Sequence, residues 1–228
     1  KAYFPGPYMA AFLTFESQAQ KVSDWIPYLE DAKRARTVDP KTGEVLRAGI
    51  EIKPPDVNLS QAEFSVVYGD DEPRDAAHGH IRFGMRAIKG TGEKAIDAII
   101  AERDKGDGGK RRPFRSMYDF CERVPSGVVN KATIESLVRS GAFDAVHSRD
   151  ERASMLASIE AAVAAGQKLA ADKAAGQSQL FGFGGGDDEP EAAASESQLV
   201  RAPAWTESET LSQEKEALGF YVSSHPLE

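Results

Sequence analysis

The chain has 228 residues, 41% of them hydrophobic, and a formal net charge of −8. That is enough for one large or two small domains and a sizeable core. A single cysteine, Cys121, excludes an internal disulfide and a paired-cysteine metal knuckle, and no apolar run reaches the ~18 residues of a helical membrane span. The opening KAYFPGPYMA lacks the layout of a secretory signal and an initiator methionine. The sequence therefore reads as a piece of a longer or processed protein, cytoplasmic and without a membrane partner.

Taken in chain order, residues 7–35 predict two helices: Tyr8, Phe12 and Phe15 recur at helical spacing, as do Val22, Trp25, Ile26 and Leu29. TVDPKTGEV is a turn-rich break, and the prolines of KPPDVN make it an extended connector. FSVVY and HIRFG predict two short strands around a polar loop, one small β-hairpin. From residue 85 the pattern is short helices with sharp turns. Ser116 with Asp119, Asn130, Ser148 with Glu151, and Thr206 with Glu209 are helix-opening signals, and Gly219 fits a C-terminal cap. Helicity is expected to fade through GQKLAADKAAGQ, and residues 182–203 read as linker. The fold class is mainly α.

Charge is unevenly spread. Residues 185–228 hold ten acids against Arg201 and Lys215, which accounts for the whole net charge; residues 81–115 hold ten bases and five acids. A basic segment on a neutral body with an acidic tail is compatible with a nucleic-acid surface, although such runs are also ordinary solvated faces.

IKGTGEKAIDAII is the most suggestive stretch. A helix ending at Ile88, a turn through Lys89, Gly90, Thr91 and Gly92, and a helix from Glu93 make a helix-hairpin-helix. Glycines at 90 and 92 can take positive φ and leave room for a phosphate to meet backbone amides. Those amides open a helix whose dipole favours an anion, and Lys89 and Lys94 add charge. Contacts of this kind grip duplex backbone without reading bases. LVRSGAFDAV offers a second candidate turn at Ser140, Gly141 and Ala142. The plainer alternative, tight turns that bind nothing, stays open on these residues alone.

Catalytic chemistry is not visible. There is no phosphate loop, no HExxH and no Asp-x-Asp that could hold the metal pair of phosphoryl transfer. Asp70-Asp71 and Asp187-Asp188 read as solvated loop acids, His78 and His80 as loop histidines without a third ligand, and Cys121 as a core thiol. No catalytic residue and no metal ligand is assigned. GQSQLFGF poses a separate question, because it sets Leu180 and Phe181 in the middle of a tether. Burial would be worth ~1.5–3 kcal/mol each, so these side chains either bind a partner or fold back on their own domain.

In order, KAYFPGPYMAAFLT, GIEIKPPDVN, IRFGMRAIKGTGEKAI, LVRSGAFD, GQSQLFG and EKEALGFYVSSHPL resemble the alpha-subunit family of bacterial DNA polymerase III, the replicative polymerase. The resemblance implies the end of the fingers domain at 1–58, a β-hairpin connector at 59–84, a tandem helix-hairpin-helix domain at 85–175, a sliding-clamp-binding motif at 176–183, an acidic flexible linker at 184–204, and a helix at 205–228 leading to an OB fold. It implies a DNA-directed DNA polymerase whose catalytic aspartates and Mg2+ lie outside this stretch, which itself carries no cofactor. Lys89, Gly90, Thr91 and Gly92, with Thr91 in place of an aliphatic residue, would hold product duplex. Gln177, Ser178, Gln179, Leu180 and Phe181 would match the clamp-binding pentapeptide, and the remaining partners would be the other holoenzyme subunits. The alternative is a non-enzymatic helix-hairpin-helix repair factor with a clamp peptide.

Overall fold

The computed structural model describes residues 4–19, 22–39, 41–75, 78–106, 110–180 and 198–221. Helices α1 (Pro5–Ala19) and α2 (Val22–Arg34) pack on each other, as the sequence predicts. The buried face of α1 differs from the expected one. Met9, Ala10 and Leu13 are in the core, while Tyr8 and Phe15 are 43% and 66% exposed. Both stripes are apolar at helical spacing, so periodicity alone could not choose between them. On α2, Trp25 and Leu29 are buried as expected.

The turn-rich break is a second β-hairpin. Strands β1 (Arg36–Val38) and β2 (Val45–Ala48) pair antiparallel. Asp39 closes the turn: its carboxylate accepts the amides of Lys41 and Thr42 at 2.7 and 3.2 Å, and Gly43 takes φ 72°. The expected hairpin is present as β4 (Ser65–Val67) and β5 (His80–Arg82), antiparallel with Val66 opposite Ile81. A short strand β3 (Ile52–Lys53) joins it parallel to β5 and makes a three-stranded sheet, order β3-β5-β4. The sheet thus begins inside the stretch expected to end the fingers. The KPPDVN connector closes in a buried turn rather than running on extended. Asp56 accepts the amides of Asn58 and Leu59, and the Ser60 hydroxyl donates to the Phe83 carbonyl at 2.8 Å.

Behind this sheet, Trp25, Phe64, Phe83 and Phe220 form an aromatic cluster, with Phe64 and Phe83 ring centroids 4.7 Å apart. The helical half follows: α3 (Glu93–Arg103), α4 (Met117–Arg123), α5 (Lys131–Arg139), α6 (Arg152–Leu180) and α7 (Glu207–Leu218). The helix-opening signals hold. Ser116 and Asn130 accept the amides of Asp119 and Thr133. Ser148–Glu151 and Thr206–Glu209 form reciprocal capping boxes, and Gly219 ends α7 at φ 87°. Asp119 does not reciprocate at Ser116; its carboxylate takes the Arg115 amide at 2.9 Å.

Two expectations about the tether change. Helix α6 does not fade but runs to Leu180. Residues 198–203, expected within the linker, lie along α6, where Val200 and Ala202 amides donate to the Ser158 and Ser154 hydroxyls at 2.7 and 3.0 Å. Residues 184–197 of that expected linker and the chain end from 222 fall outside the described residues.

Candidate nucleic-acid interface

The first hairpin turn is built from a single 3-10 turn, Met85–Ala87, rather than a full helix, followed by Lys89–Gly92 and α3. Gly90 alone takes positive φ, at 79°. Gly92, for which positive φ was also expected, is the extended N-cap of α3 at φ −85°, ψ 149°. Its role is space, not conformation: a Cβ placed there meets nothing within 4 Å, whereas one at Gly90 would lie 2.9 Å from the Ser136 Oγ of α5. Among the described residues the amides of Gly90, Gly92, Glu93 and Lys94 have no acceptor. Lys89 and Lys94 are exposed, and neither is ion-paired among the described residues. Thr91 replaces aliphatic packing with a bond: its hydroxyl donates to the Ile88 carbonyl at 2.7 Å, with the Met85 carbonyl 3.1 Å away. The turn is held from the side by α7, whose Ala217 carbonyl accepts the Lys89 amide at 2.9 Å.

The second turn differs. Gly141 has φ 80°, but Ser140, Gly141 and Ala142 are all buried. Their amides donate to the carbonyls of Ser136, Val138 and Leu137, and the Ser140 hydroxyl donates to the Leu137 carbonyl. No amide of these three residues is left for a phosphate. At Ser140, Gly141 and Ala142, the second expected contact point, the turn thus lacks the free amides found at 89–94. The cause lies beneath them. A Cβ on Gly141 would run into Arg152 Nη2, and the guanidinium bonds Asp144 through Nε at 2.8 Å and Glu214 of α7 through Nη1 at 2.9 Å. Burial works against the Arg152 charge, yet the two carboxylates outweigh it and raise its pKa. Neighbouring Arg139 and Arg149 pair with Glu216 and Glu207 of α7, each at 3.0 Å. Sequence reasoning missed Arg152, Asp144 and Glu214; the GAFD stretch marks the turn, but the partner 62 residues on gives no local signal.

Gln177, Ser178, Gln179 and Leu180 form the backbone of the last turn of α6; Phe181, the second apolar anchor of the expected clamp motif, lies outside the described residues. Cys121 is buried, and that burial pushes its thiol up to about 12, a core thiol and no nucleophile. His78 contacts Asp75 at 2.7 Å; His80, on β5 rather than in a loop, lies 2.9 Å from Glu51 and 3.3 Å from Glu72. Among the described residues no group of three His, Cys, Asp or Glu side chains could hold a metal ion. No described helix is long and apolar enough to cross a membrane.

The helix-hairpin-helix motif family matches residues 49–154, a stretch that takes in both turns. Over its whole length the chain is 38% identical to DNA polymerase III subunit alpha of Neisseria meningitidis serogroup B and 38% identical to that of Thermus aquaticus, covering 16% and 15% of those proteins. It is 36% identical to the Caulobacter vibrioides subunit across 80% of its own length. From end to end, the chain is homologous to one segment of the bacterial DNA polymerase III alpha subunit, spanning about one sixth of those relatives.

Proposed function

We propose that this chain is the duplex-holding segment of a replicative DNA-directed DNA polymerase of the polymerase III alpha type, working in the cytoplasm within a holoenzyme. Nucleotidyl transfer and its Mg2+ belong to parts of the polymerase beyond these residues. The segment keeps product duplex near them by its backbone, without reading sequence. The observation that carries this is the turn at 89–94: free amides of Gly90, Gly92, Glu93 and Lys94 at a helix N-terminus, open space above Gly92, and two unpaired lysines. A phosphate oxygen accepts such amides, and the α3 dipole favours its charge. The lysines offset the exposed Glu93 in the same turn.

Gly92→Asp tests this. Asp is a better N-cap than Gly, so thermal stability should hold or rise by a few tenths of a kcal/mol. The new carboxylate would claim the same amides and repel a phosphate, so affinity for a random-sequence duplex should fall about tenfold or more, ~1.4 kcal/mol. Unchanged duplex affinity in that folded variant sinks the assignment.

We further propose that Gln177, Ser178, Gln179, Leu180 and Phe181 tether the polymerase to its sliding clamp. Residues 170–175 of α6 are exposed throughout, so the helix end upstream of the peptide has no packing to hold it, and most helix stability in proteins comes from packing. The last turn can therefore unwind at small cost when Leu180 and Phe181 enter apolar pockets. Tethering then raises the effective concentration of polymerase at the primer. Titration against purified clamp should saturate for the native chain and be lost in Leu180→Ala/Phe181→Ala; equal binding by both rejects the tether.

A further inference from the structure

Between α3 and α4, residues 110–115 form a basic strap whose backbone is bound to the body while its cationic side chains face water. The Arg112 amide donates to the Arg103 carbonyl at 2.7 Å. Arg123 reaches up from α4 and donates to the Arg112 and Pro113 carbonyls at 2.7 and 3.2 Å, its guanidinium 4.4 Å above the Phe114 ring. Asn58 takes both backbone groups of Phe114, at 2.7 and 2.8 Å, and Asp119 takes the Arg115 amide. Each of residues 112–115 is thus anchored through its main chain. Lys110, Arg111, Arg112 and Arg115 are nonetheless exposed. Arg111 meets Asp104 at 3.3 Å; among the described residues Lys110, Arg112 and Arg115 pair with no carboxylate. The fold uses the backbone of this strap and not its charges.

Its position relative to the hairpin follows from α3. The helix has 11 residues, a span of ~16 Å, with the Gly92 turn at its start and the strap at its end. Lys94, Asp97, Ala101 and Asp104 are exposed along one stripe. Arg111, by reaching Asp104, lays the strap against the far end of that stripe. The acids along it are neutralised: Asp97 by Arg86 at 2.7 Å and Asp104 by Arg103 at 3.0 Å. Unpaired cations remain at both ends.

We propose that Lys110, Arg112 and Arg115 form a second phosphate-contacting element, which takes duplex DNA backbone ~16 Å from the hairpin, so that α3 is a spacer between two grips. The distance corresponds to about five base-pair rises of ~3.4 Å. A pre-anchored backbone lowers the ordering cost of binding. The inference rests on the duplex-holding reading.

The test measures affinity of the full chain for a fluorescent random-sequence duplex across a NaCl series. Each phosphate neutralised contributes ~0.9 to the slope of log K against log salt. Lys110→Gln/Arg112→Gln/Arg115→Gln should therefore lower the slope by about 2 or more, with an unchanged thermal midpoint. A control, Arg34→Gln/Arg36→Gln/Lys41→Gln, removes as much charge from exposed positions elsewhere and should keep the native slope. A native slope in the strap variant, or an equal loss in the control, overturns the strap while Gly92→Asp still reports on the hairpin. No salt-dependent binding by the native chain removes both.

Discussion

At 88–92 the chain turns with the amides of Gly90, Gly92, Glu93 and Lys94 unclaimed and open space above Gly92, whereas at 139–142 the turn amides are taken by α5 carbonyls and a buried arginine fills the space beneath. Both turns carry a positive-φ glycine, Gly90 and Gly141. The glycine therefore does not separate a turn with free donors from one without. What separates them is the use of the backbone donors next to it. In the first turn α7 steadies the approach through one carbonyl, that of Ala217. In the second, α7 supplies carboxylates to Arg139, Arg149 and Arg152 and occupies the charges that could have met DNA. One helix thus presents one hairpin and closes the other.

The strongest way to break this comparison is to remove Arg152. Its side chain is 2% exposed, as is that of its partner Glu214, and truncation removes the guanidinium that bonds both Asp144 and Glu214. Loss of one member of such a pair costs ~3–5 kcal/mol. For a chain of this size that is a drop of about 6–20 °C in thermal midpoint, read by circular dichroism on Arg152→Ala. Below its new midpoint the variant should keep the native salt slope for duplex, because the first turn is untouched. Gly92→Asp should do the reverse, keeping stability and losing affinity. A midpoint within a degree or two of native would show that Arg152 does not hold the second turn, and a lost salt slope would show that the two turns are not separable.

The first turn was legible in the sequence because its determinants are local. Gly90, Gly92 and the N-terminus of α3 lie within a few residues, and so do the caps at Ser116, Asn130, Ser148 and Thr206. The bonded state of the second turn was not legible because its determinant is remote: Glu214 reaches Arg152 across 62 residues. The same contrast runs through the fold. The β4–β5 hairpin announced itself by alternation, but β3 is two residues long and pairs in parallel, with no neighbouring partner to reveal it. On α1, Tyr8 and Phe15 outweighed Met9 and Leu13 by size, yet only contact with α2 and the sheet decides which stripe is inner. Gly92 can take a positive φ but does not, since as the N-cap of α3 it needs extended backbone rather than a left-handed residue.

The smallest expected effect sharpens the comparison through pH. His147 closes the second turn, its amide donating to the Phe143 carbonyl at 2.8 Å, while its Nε2 accepts the Met117 amide at 3.1 Å. Burial lowers the His147 pKa from its ordinary value, with Glu151 pulling weakly the other way. A base with a lowered folded-state pKa is protonated more readily when unfolded, so the unfolded chain gains protons first as pH falls. Its stabilising contribution is therefore whole above about pH 6.5 and declines below it, levelling off once the folded imidazole also titrates. His147→Gln keeps an acceptor for Met117 and cannot titrate. Urea midpoints at pH 7.5, 6.5 and 5.5 should fall more for the native chain than for His147→Gln. The other histidines, common to both proteins, cancel in that difference. The carboxyl of Glu151, held low by the Ser148 amide and hydroxyl, loses its contribution only at more acid pH. If the two proteins track each other across this range, His147 is not held neutral, and the second turn is looser around α4 than its bonded amides imply.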